Sequence, residues 1–262
     1  MRTVILCEGS DDLWFIAYYL YKKANWVITD KKNWCELYSL PPSNPTNAYR
    51  RKQEVQYMLS PDKNEKVAVY SVGGQDNLKK GIKELQRINE MYATSPIDAI
   101  VIFRDCDNRS PDEVVANMKT WFSNKDADSF SLQNRAVTEI KYEIDGMDIS
   151  VKILPVVIPF DEEGAVETLL LKAISDRNEE GKQVADSAHN YIDSAISNQY
   201  ITTYLKKQRL VTKARFSAAI AITNPDHSTG TFQQLMEATP WEKSDSVTQH
   251  MKDIMQLLSH NS

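Results

Sequence analysis

The sequence predicts an α/β fold: a parallel sheet with flanking helices, a β-hairpin addition and a helical C-terminal extension. Three observations predict it. Up to about residue 125 the chain alternates short β-branched runs with stretches of helical apolar period, the pattern of βαβ crossovers. Ala99 to Phe103 is apolar at every position, as expected of a strand covered by helices on both sheet faces. Beyond residue 136 the pattern changes to alternating segments around Asp145-Gly146 and then to helical period.

Taken in order, Thr3 to Glu8 is the first strand. Gly9-Ser10 follows, and Ser10 is placed to cap a helix from Asp11 to Lys23 whose period runs through Leu13, Ile16, Ala17 and Leu20. Pro41 to Thr46, with three prolines, reads as a loop. Val67 to Val72 is a second strand, broken by Gly73-Gly74, and a helix from Gln75 to Met91 buries Leu78, Ile82, Leu85 and Ile88. After the third strand, Pro111 opens a helix at the one position where proline costs nothing. Val137 to Ile144 and Met147 to Ile153 form the hairpin, and Val156 to Ile158 is a further short strand that Pro159 ends. From Glu162 the chain reads as helical, with breaks near Gly181, Pro225 and Gly230. The expected division is an α/β domain over residues 1–175 and a helical extension over 176–262 packed on it.

Composition narrows the function classes. The 262 residues are 42% hydrophobic and 26% charged, an ordinary soluble balance, and the apolar runs are far too short to span a bilayer. The start of the chain is too short in apolar residues for a signal peptide. Cys7, Cys35 and Cys106 form no CxxC pair, which fits a reducing compartment and a cytoplasmic protein. The four histidines lack zinc-ligand spacing. A net charge of −5 argues against a non-specific DNA-coating protein but leaves room for an enzyme with a local basic track.

The chemistry is concentrated where strands end. Glu8 closes the first strand and Asp105-Cys106-Asp107 closes the third, and open α/β sheets bind ligands outside the carboxyl ends of their strands. If the first and third strands are neighbours, about 4.8 Å apart, these acids come within reach of one cation. Carboxylate oxygens favour Mg²⁺ or Mn²⁺ over zinc, and such a cation removes the repulsion between the acids. Acids at strand ends also serve as helix caps and surface turns. These stand out because each ends an apolar strand at βαβαβ spacing.

Cys7-Glu8-Gly9-Ser10-Asp11-Asp12 resembles the EGxxD/E opening of TOPRIM domains, and Phe103-Arg104-Asp105-Cys106-Asp107 resembles their DxD. Gly73-Gly74-Gln75-Asp76-Asn77-Leu78 and Glu163-Gly164-Ala165-Val166-Glu167-Thr168-Leu169-Leu170 look similar to small stand-alone TOPRIM proteins related to the overcoming-lysogenization-defect (OLD) nucleases. The resemblance covers roughly residues 1–175 and implies a Rossmann-like TOPRIM sheet with a two-metal nuclease site. It makes Glu8 a metal ligand or general acid/base and Asp105 and Asp107 metal ligands. Asp12 matches the second acid of the opening motif and Glu167 the later helix-borne acid. Glu163, four residues earlier, is a weaker candidate on the same expected helical face. An acidic first turn favoured by the helix dipole is the alternative for both glutamates. Two-metal sites stabilise the entering and leaving oxygens of a phosphodiester.

Lys206-Lys207-Gln208-Arg209 and Lys213-Ala214-Arg215 put five cations in ten residues. Such a run is commonly a solvated helix face. In an acidic protein it also suits phosphate contacts, with Lys206, Lys207 and Arg209 as candidates. Lys213, ahead of the apolar stretch Phe216 to Ile222, resembles the lysine that completes OLD-type sites, where it would neutralise charge on the transferring phosphate. Asp226 to Gly230 reads as a loop and cap.

The expected function is therefore a Mg²⁺-dependent nuclease, or a related phosphodiester-transfer enzyme, acting on DNA or RNA. The alternatives are an inert TOPRIM module that binds metal or nucleic acid, and a DxD phosphatase of the haloacid-dehalogenase type. The latter wants its motif after the first strand, whereas here it follows the third. Gly73-Gly74 lacks the following GK[ST] of a Walker loop, so any ATPase partner would act in trans.

Overall fold

The strands are β1 (Arg2–Cys7), β2 (Val27–Thr29), β3 (Glu54–Leu59), β4 (Lys66–Ser71), β5 (Ala99–Asp105), β6 (Thr138–Ile144) and β7 (Met147–Ile158) in a computed structural model that describes residues 1–40, 54–122, 130–144 and 146–259. They form one sheet in the order β2-β3-β4-β1-β5-β7-β6. β1 lies at the centre and pairs in parallel with β4 on one side and β5 on the other. β2 with β3, β3 with β4, and β6 with β7 are antiparallel. The sheet is thus parallel at its heart and antiparallel at its flanks. The expected α/β class holds, and β2 and β3 are the strands that the βαβ reading lacked. β2 exposes Val27 and Ile28 at 56% each, so an edge strand of three residues leaves little alternation to read.

Val4 to Cys7, Val67 to Tyr70 and Ile100 to Phe103 are all buried, and each fully buried aliphatic side chain contributes roughly 1.5–3 kcal/mol of transfer free energy. The helices that cover them are α1 (Ser10–Ala24), a short α2 (Lys31–Trp34), α3 (Leu78–Met91) and α4 (Pro111–Lys119). Register shows that α1 and α3 take opposite faces. Leu6 stands opposite Ile102, so Phe103 points the other way. α1 reaches Phe103 through Phe15, with ring centroids 6.3 Å apart, while a side-chain carbon at Gly81 of α3 would meet Leu6 at 3.1 Å. Helices on both faces are the doubly wound arrangement expected when the chain passes from β1 to β4 and then back across to β5.

Several boundaries move for identifiable reasons. Gly9, not Ser10, is the N-cap of α1, because the Asp12 side chain accepts from the Gly9 amide at 2.9 Å and draws Ser10 into the first turn. Gln75–Asn77 is a 3₁₀ turn ahead of α3. β7 runs unbroken to Ile158, so Val156 to Ile158 continues the second hairpin strand. The loop expected at Pro41 to Thr46 lies outside the described residues, as does Asp145 of the hairpin turn.

By Cα proximity the chain divides into two units: Met1–Arg104, Asp112–Val157 and Asp253–Ser262 in one, Asp105–Pro111 and Ile158–Lys252 in the other. The second contains α5 (Val166–Ser175), α6 (Glu179–Ser197), α7 (Gln208–Thr223) and α8 (Phe232–Ala238), and α9 (Asp245–Ser259) follows. α5, α6 and α7 pack on one another. Gly181 does not break a helix; it lies in the first turn of α6 and donates to the Asn178 cap at 2.8 Å. Among the described residues no helix is long and apolar enough to cross a membrane.

Candidate functional site

The second unit gathers four of the expected site residues from three distant segments. Asp105 is the last residue of β5, and its Oδ1 accepts from the Val166 amide at 3.0 Å, at the N-terminus of α5. Here the helix dipole and an unsatisfied amide favour a carboxylate. Two residues on, the Asp107 amide donates to the Gly164 carbonyl at 2.8 Å, and the Cys106 amide donates to the Ile158 carbonyl, also at 2.8 Å. The DxD turn is thus laced by backbone bonds to the loop that leads into α5.

Glu167 sits on the first turn of α5 with its side chain 5% exposed, and it forms an ion pair with Lys213 of α7. Lys213 lies inside α7 rather than ahead of a helix, so its reach is set by helix packing. Asp107 holds a left-handed backbone at φ 55°, uncommon for a residue other than glycine, and is half-buried. Cys106 is fully buried between the two aspartates, its sulfur 3.2 Å from the Glu162 carbonyl oxygen, and burial pushes its thiol up to about 11. It fills space between them.

Glu163 is exposed in the loop before α5, which begins only at Val166. The shared helical face expected for Glu163 and Glu167 therefore does not exist.

In the first unit, Glu8 directly follows β1 and forms an ion pair at 2.9 Å with Arg104, a side chain with no solvent exposure. Arg104 also lies over the Trp121 ring, 5.8 Å from its centroid. Sequence reasoning passed over Arg104, although a lone cation at the end of an apolar strand was the available signal. The Glu8 carbonyl accepts from the Gly74 amide at 2.7 Å, so Gly73-Gly74 serves as a turn tied to β1. Asp12 is buried, and its bond to Gly9 gives it a helix-start role. Lys206 and Lys207 lie just ahead of α7, Arg209 lies in its first turn, and all three are exposed.

Among the described residues no three His, Cys, Asp or Glu side chains form a group that could hold a metal by themselves. The donor chemistry nonetheless fits magnesium. Mg²⁺ is commonly held by one or two carboxylates, with water and substrate phosphate completing its octahedron, rather than by an all-protein cage. Asp105 and Asp107 offer two carboxylates on one turn.

The chain is similar to a hypothetical protein from Pyrococcus horikoshii OT3 of known crystal structure, with 16% identity, a TM-score of 0.46, and coverage of 93% of this chain and 98% of the other. No curated protein matches it. A family model described as protein of unknown function (DUF3226) matches residues 2–260. That match spans nearly the whole chain, and the protein belongs to the DUF3226 family.

Proposed function

We propose that this protein is a Mg²⁺- or Mn²⁺-dependent nuclease of the TOPRIM type, cutting phosphodiester bonds in DNA or RNA. One observation carries the reading: the second unit brings Asp105, Asp107, Glu167 and Lys213 together through direct bonds between the DxD turn, the start of α5 and α7. A purely structural turn needs no buried carboxylate paired to a lysine 46 residues away.

In this reading Asp105 and Asp107 hold the cation, and the amide bond from Val166 orients Asp105. The cation, when bound, supplies Lewis-acid polarisation of the phosphate. Glu167 positions Lys213, whose part-exposed ammonium neutralises charge that develops on the phosphate oxygens in the transition state. Glu8 enters through its motif as the acid/base group, with Arg104 holding its carboxylate. Any ATPase partner acts in trans, and the free cysteines favour a cytoplasmic setting. The inert-module alternative draws on the ion pairs at Glu8 and Glu167, which compensate both acids without a metal.

Cleavage separates the two readings. With Mn²⁺ the purified protein should nick supercoiled plasmid or cut RNA, and Glu8→Gln should abolish this while leaving nucleic-acid binding nearly unchanged. Binding without cleavage under Mg²⁺ and Mn²⁺ would favour the inert module. Cleavage that survives Glu8→Gln would remove Glu8 from the site.

A further inference from the structure

The stretch from residue 194 to residue 225 contains five basic residues and no acidic one, in a chain of net charge −5. Two of these cations are ion-paired: Lys213 with Glu167 and Arg215 with Asp193. Lys206, Lys207 and Arg209 have no carboxylate partner among the described residues. Lys206 and Lys207 close the segment 198–207 that joins α6 to α7, Arg209 follows it, and that segment presents two tyrosines to solvent, Tyr200 at 84% and Tyr204 at 76% exposure. Neither ring packs against another ring, and neither hydroxyl has a protein partner among the described residues.

Exposed aromatics at this level are unusual, because each leaves an apolar face in water that folding would ordinarily bury. Cations placed at the start of α7 are equally unfavourable for that helix, since they face the positive end of its dipole. Both features cost stability on their own. Both become favourable when a polyanion with flat, stackable groups lies on the surface.

We propose that the α6–α7 connection is a binding surface for single-stranded nucleic acid. Bases stack on Tyr200 and Tyr204, and Lys206, Lys207 and Arg209 contact the phosphates. Duplex bases are already stacked within the helix and cannot offer their faces to the rings, so the surface selects single strands. This rests on the nuclease reading only for its purpose; the binding surface itself stands without the metal site.

The test is fluorescence anisotropy in EDTA, where no cleavage occurs, with a labelled oligo-dT, an oligo-U and a duplex of equal length. Single strands should bind more tightly than duplex. Tyr200→Ala plus Tyr204→Ala should weaken single-strand binding by at least about fivefold per ring, the lower limit for a lost base–aromatic stack, and leave duplex binding unchanged. Tyr200→Phe plus Tyr204→Phe should restore it, since the ring rather than the hydroxyl stacks. Replacing Lys206, Lys207 and Arg209 by Gln should lower the log–log salt slope on single strands by about 2, at roughly 0.7 per phosphate contact. All these positions are exposed, and circular dichroism checks that each variant folds.

Equal affinity for duplex and single strand, or tyrosine variants that bind like wild type, would overturn the proposal. So would binding to phosphatidylserine vesicles without binding to any oligonucleotide, which would assign the surface to a membrane. Plasmid cleavage with Mn²⁺ is read separately, so loss of one reading is visible without loss of the other.

Discussion

Gly164 is the position where a single methyl group tests the geometry of the DxD turn. Its φ is +151°, a conformation that L residues rarely adopt, and a Cβ there would lie 2.2 Å from Thr168 Oγ1 and 2.8 Å from Thr168 Cβ. Thr168 is not free to retreat, because its hydroxyl accepts from the Ala165 amide at 3.2 Å and its own amide donates to the Ala165 carbonyl at 2.9 Å. Gly164→Ala therefore incurs backbone strain of about 1–3 kcal/mol and overpacking of about 1–3 kcal/mol, a loss of roughly 2–6 kcal/mol in all. Gly146 is the internal control. Its φ is +78° and nothing lies within 4 Å of where an alanine Cβ would sit, so Gly146→Ala should cost only the conformational part, about 1–2 kcal/mol. Urea denaturation followed by circular dichroism measures both. Because the Gly164 carbonyl anchors the Asp107 amide, Mn²⁺ affinity should fall in Gly164→Ala and not in Gly146→Ala. Two variants that agree in stability to within about 0.5 kcal/mol, the ordinary range of surface changes, would refute the packing argument.

Two further perturbations follow from named contacts. Lys213→Met leaves the buried Glu167 carboxylate without its cation and should destabilise by about 1–3 kcal/mol once solvent screening at the 39%-exposed Lys213 is allowed for. Adding Glu167→Gln should recover part of that loss in thermal melts, and additive losses would mean the pair is not coupled. Burial pushes the Tyr70 hydroxyl from 10.0 up to about 12, with the Glu84 charge adding to the shift. A raised folded value means that the native state holds the proton more tightly, so this contribution is whole below pH 10 and is lost as pH rises from 10 towards 12. Tyr70→Phe should flatten the stability profile in that window, and an unchanged slope there would count against the burial of this ring.

The parallel centre of the sheet was legible in the sequence because three apolar runs and their helices each satisfy a local rule. Helix periods placed Leu78, Ile82, Leu85 and Ile88 on the buried face of α3, where they lie. β2 and β3 were not legible. Three residues at an exposed edge show no alternation, and β3 buries only Met58 of its six residues. Of the candidate residues read from motif order, Asp105, Asp107, Glu167 and Lys213 are linked by direct bonds in the second unit. The helical face expected to join Glu163 to Glu167 is absent because it depended on a helix boundary, the least certain feature that periodicity offers. Arg104 was missed because an ion pair across strands has no sequence spacing. Its partner, Glu8, is 96 residues away.

Titration calorimetry with Mn²⁺ tests most directly the proposal that Asp105 and Asp107 hold a divalent cation. Wild-type protein should bind the ion, and Asp105→Asn plus Asp107→Asn should weaken that binding strongly while circular dichroism shows the fold retained, because the double change removes the charge that the cation neutralises. Equal Mn²⁺ affinity in the wild type and the folded double variant would contradict the site.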